Sequence, residues 1–282
     1  MASKEDNSET PTPDSTERRH FLQSTAAALS VATPLSWLAT SEAAAARTPP
    51  PTPRTPFDYA RLKGIAHALA AAPYQAPTEK LPPAVERLDW DHWQAIRFRD
   101  DRSLWVGDGL RFQVRFFHLG FRIRKPVRLF SVDGGLAQEI LYDPAMFDYG
   151  NSGLKGSDVP SNLGFAGFRL LFHTDWIRDF AAFQGASYFR AVDIDRQYGM
   201  SQRGLAIDCG ASTPEEFPDF VAYYLEKPAK DSSVLTIYGL LDSPSVAGAY
   251  RFVIDASEPL TMDIDASVNG DRKCTRRNSS HI

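Results

Sequence analysis

Between Gly185 and Phe220 the chain reads GASYFRAVDIDRQYGMSQRGLAIDCGASTPEEFPDF. Tyr188, Phe189 and Tyr198 offer flat aromatic faces, and Arg190, Arg196 and Arg203 offer forks of hydrogen-bond donors. Asp193, Asp195, Asp208, Glu215, Glu216 and Asp219 add carboxylate acceptors. Saccharide sites use this inventory: a sugar ring lays its apolar face on an aromatic side chain while charged groups bond its hydroxyls. A loop-rich sandwich edge with ordinary core aromatics would draw on the same residue types. The pattern alone leaves both readings open.

Other chemistries find less support. Gly107-Asp108-Gly109 lacks the third glycine and the following helix of a phosphate-binding loop. No G-x-S-x-G elbow is present, which removes the usual serine-hydrolase signature. The histidines at 20, 67, 92, 118, 173 and 281 form no i, i+4 pair, and Cys209 and Cys274 are too few for a cysteine-built zinc site. Asp193-x-Asp195 and Asp263-x-Asp265 each put two carboxylates on one strand face, which calcium can use but solvated strands also produce. No metal or cofactor is expected.

The elements that must position these groups read as β-structure. Leu110, Phe112, Val114 and Phe116 alternate with Arg111, Gln113 and Arg115, giving a strand with one apolar face. Val127–Val132 and Leu136–Tyr142 flank Asp133-Gly134-Gly135, a hairpin signal. Further strands are predicted over Phe165–Phe172, Ser187–Val192, Gly204–Cys209, Phe220–Glu226, Val234–Leu241, Tyr250–Asp255 and Thr261–Val268. Helical spacing is confined to Phe57–Ala72, where Leu62, Ile65, Ala66 and Leu69 share a side and Pro73 stops the run. Some ten short strands with little helix predict a mainly β chain, an antiparallel β-sandwich. With 31 basic and 35 acidic residues among 282, a net charge of −4 gives no electrostatic reason to expect a nucleic-acid partner.

The N-terminus reads as an export signal. After a polar stretch from Met1 to Thr16 come Arg18-Arg19-His20-Phe21-Leu22, a weakly apolar run from Thr25 to Thr40, and Ala43-Ala44-Ala45-Ala46. Arg18 and Arg19 resemble the pair of a twin-arginine signal, read by the machinery that exports folded proteins, although Glu17 and Gln23 depart from the usual residues. Ser30, Thr33, Pro34 and Ser36 make the apolar run too polar and too short to span a bilayer. The expected organisation is a signal over 1–46, a mobile proline-rich spacer over 47–56 and a body over 57–268. The tail from 269 to 282, NGDRKCTRRNSSHI, breaks the β pattern and reads as non-native.

Four words carry a resemblance. Gly164–Arg169 (GFAGFR), Gly185–Val192 (GASYFRAV), Arg203–Asp208 (RGLAID) and Glu215–Phe220 (EEFPDF) closely resemble the periplasmic glucan biosynthesis proteins, the OpgG/OpgD (MdoG/MdoD) family. Phe116-Phe117-His118, Leu129–Asp133 and Leu240–Ser243 match as well, and the twin-arginine signal points to the D branch. The resemblance implies a large galactose-mutarotase-like β-sandwich followed by an immunoglobulin-like domain that this chain does not contain, so a shortened copy is expected. It implies a periplasmic protein shaping the β-1,2-linked glucose backbone of osmoregulated glucans, and some members resemble inverting β-1,2-glucan hydrolases. Asp219 is then the base-side carboxylate, its acid partner falling in a later segment absent here. Tyr188, Arg190, Tyr198, Arg203 and Tyr224 become candidates for holding the glucan. The partners implied are the glucan, the export machinery and the glucan synthase. A non-catalytic glycan-binding or scaffold protein is the rival reading.

Overall fold

A computed structural model describes residues 52–78, 80–193 and 201–270 of the chain. Short amphipathic and aromatic-rich segments pair into two main sheets. The larger runs β1 (Thr55–Pro56), β5 (Leu136–Glu139), β4 (Arg128–Asp133), β11 (Asp219–Glu226), β12 (Val234–Asp242), β13 (Ala247–Asp255) and β14 (Thr261–Asn269). The smaller runs β10 (Gln202–Arg203), β9 (Tyr188–Ala191), β8 (Ala181–Gln184), β7 (Phe165–Phe172) and β3 (Phe112–His118). A separate pair joins β2 (Arg97–Phe98) to β6 (Phe147–Asp148). All neighbours are antiparallel except β4 beside β11. The mainly β sandwich expected from the alternation is the architecture found.

The sheets face each other through rings. Phe116, Phe168, Phe183 and Phe189 stand opposite one another on β3, β7, β8 and β9. All four are buried. Phe183 meets Phe252 of the larger sheet edge-on at 5.1 Å, and Phe168 meets Tyr223 the same way at 5.1 Å. Such aromatic pairs add about 0.5–1.5 kcal/mol each beyond their burial. Two hydroxyls fasten the layers further: Tyr223 donates to the Gln184 carbonyl at 3.2 Å and Tyr250 to the Gly204 carbonyl at 3.0 Å.

A third layer covers the far side of the larger sheet. Asp58 accepts from the Arg61 amide at 2.6 Å and starts α1 (Tyr59–Ala71) as an N-cap. Leu62, Ala66 and Ala70 are its buried residues, one per turn, and Leu62 and Ala66 cluster with Ala222, Leu240 and Ala249. Ile65, expected on that side, is 36% exposed, because it precedes Ala66 by one residue, a rotation of about 100° that carries it to the flank of the Leu62–Ala66–Ala70 stripe.

Other differences from expectation have local causes. Residues 52–56 are pinned rather than mobile: Thr55 and Pro56 pair with Ala137 and Leu136, and the Thr52 hydroxyl donates to the Glu139 carbonyl at 2.8 Å. Prolines are tolerated there because an edge strand needs fewer donors. Gly134 and Gly135 both take positive φ, 57° and 74°, which lets the β4–β5 hairpin turn tightly. The strand expected over Gly204–Cys209 does not form. Only an isolated bridge from Ile207 to Glu216 remains, since Asp208 adopts φ 57° and turns the chain away. Two short helices, α2 (Pro83–Glu86) and α3 (Trp90–Gln94), start at Pro83 and at the Asp89 cap.

Candidate functional site

The smaller sheet has a second face, directed away from the other layers. One residue along from each phenylalanine of the buried row stand Arg115, Arg169, Ala182 and Arg190, again opposite one another across four strands. Alternation turns this row outward. Beside it run Phe117, Gly167 and Gln184 in register, followed by Tyr188 opposite Arg203. Arg169 lies over the Phe117 ring at 6.0 Å, and Arg203 lies over Tyr188 at 5.9 Å and Phe217 at 4.6 Å. Four guanidinium groups, an amide and the rings of Phe117 and Tyr188 thus share one surface, with Gly167 and Ala182 keeping its middle low.

Gly167 makes the close pairing of β7 and β8 achievable. Its φ is +147°, and a β-carbon there would sit 2.1 Å from the Phe183 carbonyl oxygen. No other residue fits without parting the strands.

The arginines differ in their partners. Arg115 is buried and reaches Asp100 at 2.7 Å, the Ser103 hydroxyl at 3.2 Å and the Trp176 carbonyl at 2.8 Å. Burial lowers its pKa; Asp100 opposes that shift and the neighbouring Arg169 adds to it. Arg190 pairs with the buried Asp179 at 3.4 Å. Arg203 pairs with Glu215, whose Oε1 also accepts a hydrogen bond from the Cys209 thiol at 2.8 Å. The hydrogen bond and charge of Glu215 hold the Arg203 pKa up. Arg169 makes no ion pair among the described residues, and its Nε is buried without a hydrogen-bond partner.

The loop carrying Glu215 is tied down by the next residue. Glu216 accepts from the Ser243 hydroxyl, and from the Ser245 amide and hydroxyl at 3.0 Å each. It thereby fixes Phe217 above Arg203.

Of the residues singled out in the sequence, Tyr188, Arg190 and Arg203 come together on this face. Tyr224 does not. It lies beneath α1 with Phe57 stacked at 4.1 Å and Phe130 stacked at 4.5 Å. Both of its faces are covered, so none is left for a sugar ring, and Tyr224 is corrected to a core residue. Tyr198, like the signal residues Arg18 and Arg19, lies outside the described residues. Asp219 opens β11 directly opposite Asp242 and forms an ion pair with Lys125. Burial works to lower the Lys125 pKa, but the hydrogen bond and charge of Asp219 outweigh it and raise it. Asp219 is off the arginine row, joined to its neighbourhood through the Phe220 amide bonded to the Gly185 carbonyl at 2.5 Å. Arg115, Arg169, Phe117 and Gln184 escaped the sequence reading. The outward phase of Arg115 in its strand was the one signal available for it.

Comparison with known proteins agrees with the words that first suggested a family. The family model described as "Periplasmic glucan biosynthesis protein, MdoG" matches residues 57–277. Glucans biosynthesis protein D of Xanthomonas campestris pv. campestris (strain B100) is 54% identical over 256 residues, covering 89% of this chain and 48% of that protein. Its namesake in Xanthomonas axonopodis pv. citri (strain 306) is likewise 54% identical over 256 residues, covering 89% of this chain and 48% of that protein. In Xylella fastidiosa (strain M12) the similarity is 58% over 212 residues, 75% of this chain and 40% of that relative. The chain spans about half the length of the curated relatives it matches.

Proposed function

The chain belongs to the periplasmic glucan biosynthesis (MdoG) family, and from that premise we propose that it holds the β-1,2-linked glucose backbone of osmoregulated periplasmic glucans on the outer face of its smaller sheet. The family places its work in the periplasm, reached on this reading by twin-arginine export through Arg18 and Arg19. The observation that carries the proposal is the row Arg115–Arg169–Ala182–Arg190 lying beside Phe117 and Tyr188. Phe117 on β3 and Tyr188 on β9 are three strand spacings apart, about 14 Å. That span suits a saccharide of several linked units: rings stack at the two ends and hydroxyls meet guanidinium groups between them.

The test is glucan binding by Tyr188→Ala. Loss of one stacking contact, about 0.5–1.5 kcal/mol, weakens affinity about two- to twelvefold. Because Tyr188 is only half-buried, the melting temperature should scarcely move. Unchanged affinity for a β-1,2-linked glucose oligosaccharide would sink the reading.

Hydrolysis is the second reading, favoured by the Asp219–Lys125 ion pair at the start of β11. An inverting enzyme needs two carboxyl groups about 6.5–9.5 Å apart, one protonating the leaving oxygen and one activating water. Asp242 stands directly opposite Asp219 on β12. On the family resemblance Asp219 is proposed as the base-side group, with its acid partner elsewhere. In a chain of the relatives' length Asp219→Asn should abolish glucan turnover and spare binding; surviving turnover removes Asp219 from the chemistry. Without turnover the same face serves as a scaffold that presents glucan to its synthase.

A further inference from the structure

Where the arginine row meets the edge strand β3, a cavity of about 510 Å³ is lined by Trp93, Arg97, Asp100, Arg115, Phe117 and Arg169, among others. Three guanidinium groups face one carboxylate there. His118, also in the lining, has its pKa pushed down to about 4 by burial, so it adds no charge near neutral pH. Arg115 and Arg169 are direct cross-strand partners, a placement in which like charges repel. Arg115 is 6% exposed, and its carboxylate partner Asp100 has a side chain 76% exposed to water, which weakens the compensation. Arg169 pairs with no carboxylate among the described residues and keeps a buried, unbonded Nε.

A neutral sugar would bond these donors but would leave the charge uncompensated. The planar fork of Arg169, with the charge of Arg115 beside it, matches the oxygens of a carboxylate or phosphate in geometry and in charge. We propose that this cavity binds an oxyanion, a carboxylate or phosphate ester, across Arg115 and Arg169. The source is either a substituent on the bound saccharide, which rests on the glucan-binding reading, or a free anion, which does not.

The experiment titrates the 282-residue chain with inorganic phosphate at constant ionic strength, with chloride as the reference. It is followed by calorimetry and by the shift in melting temperature. Phosphate should bind in preference to chloride, and Arg169→Gln should weaken it about tenfold or more, the loss of one charge-assisted hydrogen bond. Arg251→Gln, on β13 of the other sheet, should bind as the parent does. Relief of the Arg115–Arg169 repulsion should leave the anion-free Arg169→Gln protein at least as stable as the parent. Should that variant fail to fold, Arg169→Lys keeps the charge and loses the fork, and it should weaken phosphate by less than Gln would but measurably. No preference for phosphate, or equal binding by parent and Arg169 variants, overturns the site.

A second arm compares a neutral β-1,2-linked glucose oligosaccharide with the same chain bearing one phosphate ester. Tighter binding of the ester by the parent, abolished in Arg169→Gln, assigns the anion to the saccharide. Equal binding of both, with free phosphate still bound, supports a free-anion site. If neither oligosaccharide binds while phosphate does, the glucan reading fails and the anion site stands.

Discussion

His118 offers the most quantitative test of how the sandwich is built. It ends β3 inside the core, where Nδ1 lies 2.6 Å from the Leu119 carbonyl and Nε2 lies 3.0 Å from the Tyr142 hydroxyl. A carbonyl can only accept, so Nδ1 carries the proton and Nε2 receives the one from Tyr142. Phe147 and Tyr149 meet the ring edge-on at 5.0 and 5.6 Å. Protonating Nε2 would reverse the Tyr142 bond, the hydroxyl then accepting, and would bury a charge. Burial accordingly lowers the pKa from 6.5 to about 4, against the opposing effect of the Leu119 bond. With the folded value below the unfolded one, the unfolded chain binds the proton first as pH falls. Stability is therefore full above about pH 6.5 and lost progressively down to about pH 4. At about 1.4 kcal/mol per pH unit the whole effect is about 3 kcal/mol, of which about 2.5 is gone by pH 4.5. For a domain of this size that loss lowers the melting temperature by about 5–10 °C. Thermal unfolding at pH 7.5 and pH 4.5, on the parent and on His118→Gln, reads it directly. The variant should be the less stable at pH 7.5 and should have lost most of the pH dependence. Equal pH dependence in both proteins would refute the buried neutral histidine.

Two further outcomes follow from the same reasoning. Gly167→Ala combines backbone strain of about 1–3 kcal/mol with a β-carbon 2.1 Å from the Phe183 carbonyl oxygen. Urea unfolding should show a loss above about 3 kcal/mol, with glucan binding lost in parallel, and a change under about 1 kcal/mol would mean that β7 and β8 are not so closely paired. Arg18→Lys combined with Arg19→Lys should leave the protein in the cytoplasm on fractionation, whereas periplasmic recovery of that double variant would remove the twin-arginine assignment.

Much of the sandwich was legible because its strands are regular. Phe165–Phe172 is apolar except for Arg169, lies between turns, and forms with the boundaries expected for it. Ala181–Gln184 was missed: AAFQ holds one strong strand former, and its extended state comes from pairing with β7 on one side and β9 on the other. Gly204–Cys209 misled in the opposite direction, since its alternation is right for a strand but Asp208 takes a left-handed backbone. The candidate face was half legible. Tyr188, Arg190 and Arg203 are close in sequence and fall near one another once β9 and β10 pair. Arg115 and Arg169 come from distant strands, and nothing local says that they will stand opposite each other. Tyr224 had the right chemistry in the wrong layer, for a ring that suits a sugar equally suits Phe57 and Phe130.

What aligns the arginines is the buried row one residue away. Phe116, Phe168, Phe183 and Phe189 can all face the larger sheet in only one register. A slip of one residue on any strand would turn its phenylalanine to water and, on β3, β7 or β9, drive an arginine into the core. Fully burying one such side chain is worth about 1.5–3 kcal/mol, and an unpaired buried guanidinium costs more still. The core therefore fixes the positions of Arg115, Arg169 and Arg190 to within the play of their own side chains, and of the three only Arg169 pairs with no carboxylate among the described residues. The two rows are separable by mutation. Trimming Phe168 or Phe183 should lower stability and saccharide binding together, because the register that aligns the outer row is lost with the core. Trimming Arg169 or Tyr188 should touch binding alone. A face preorganised from beneath in this way can change Arg169 or Tyr188, and with them the ligand it holds, at little cost to the fold, whereas Gly167 and the buried Arg115 must stay.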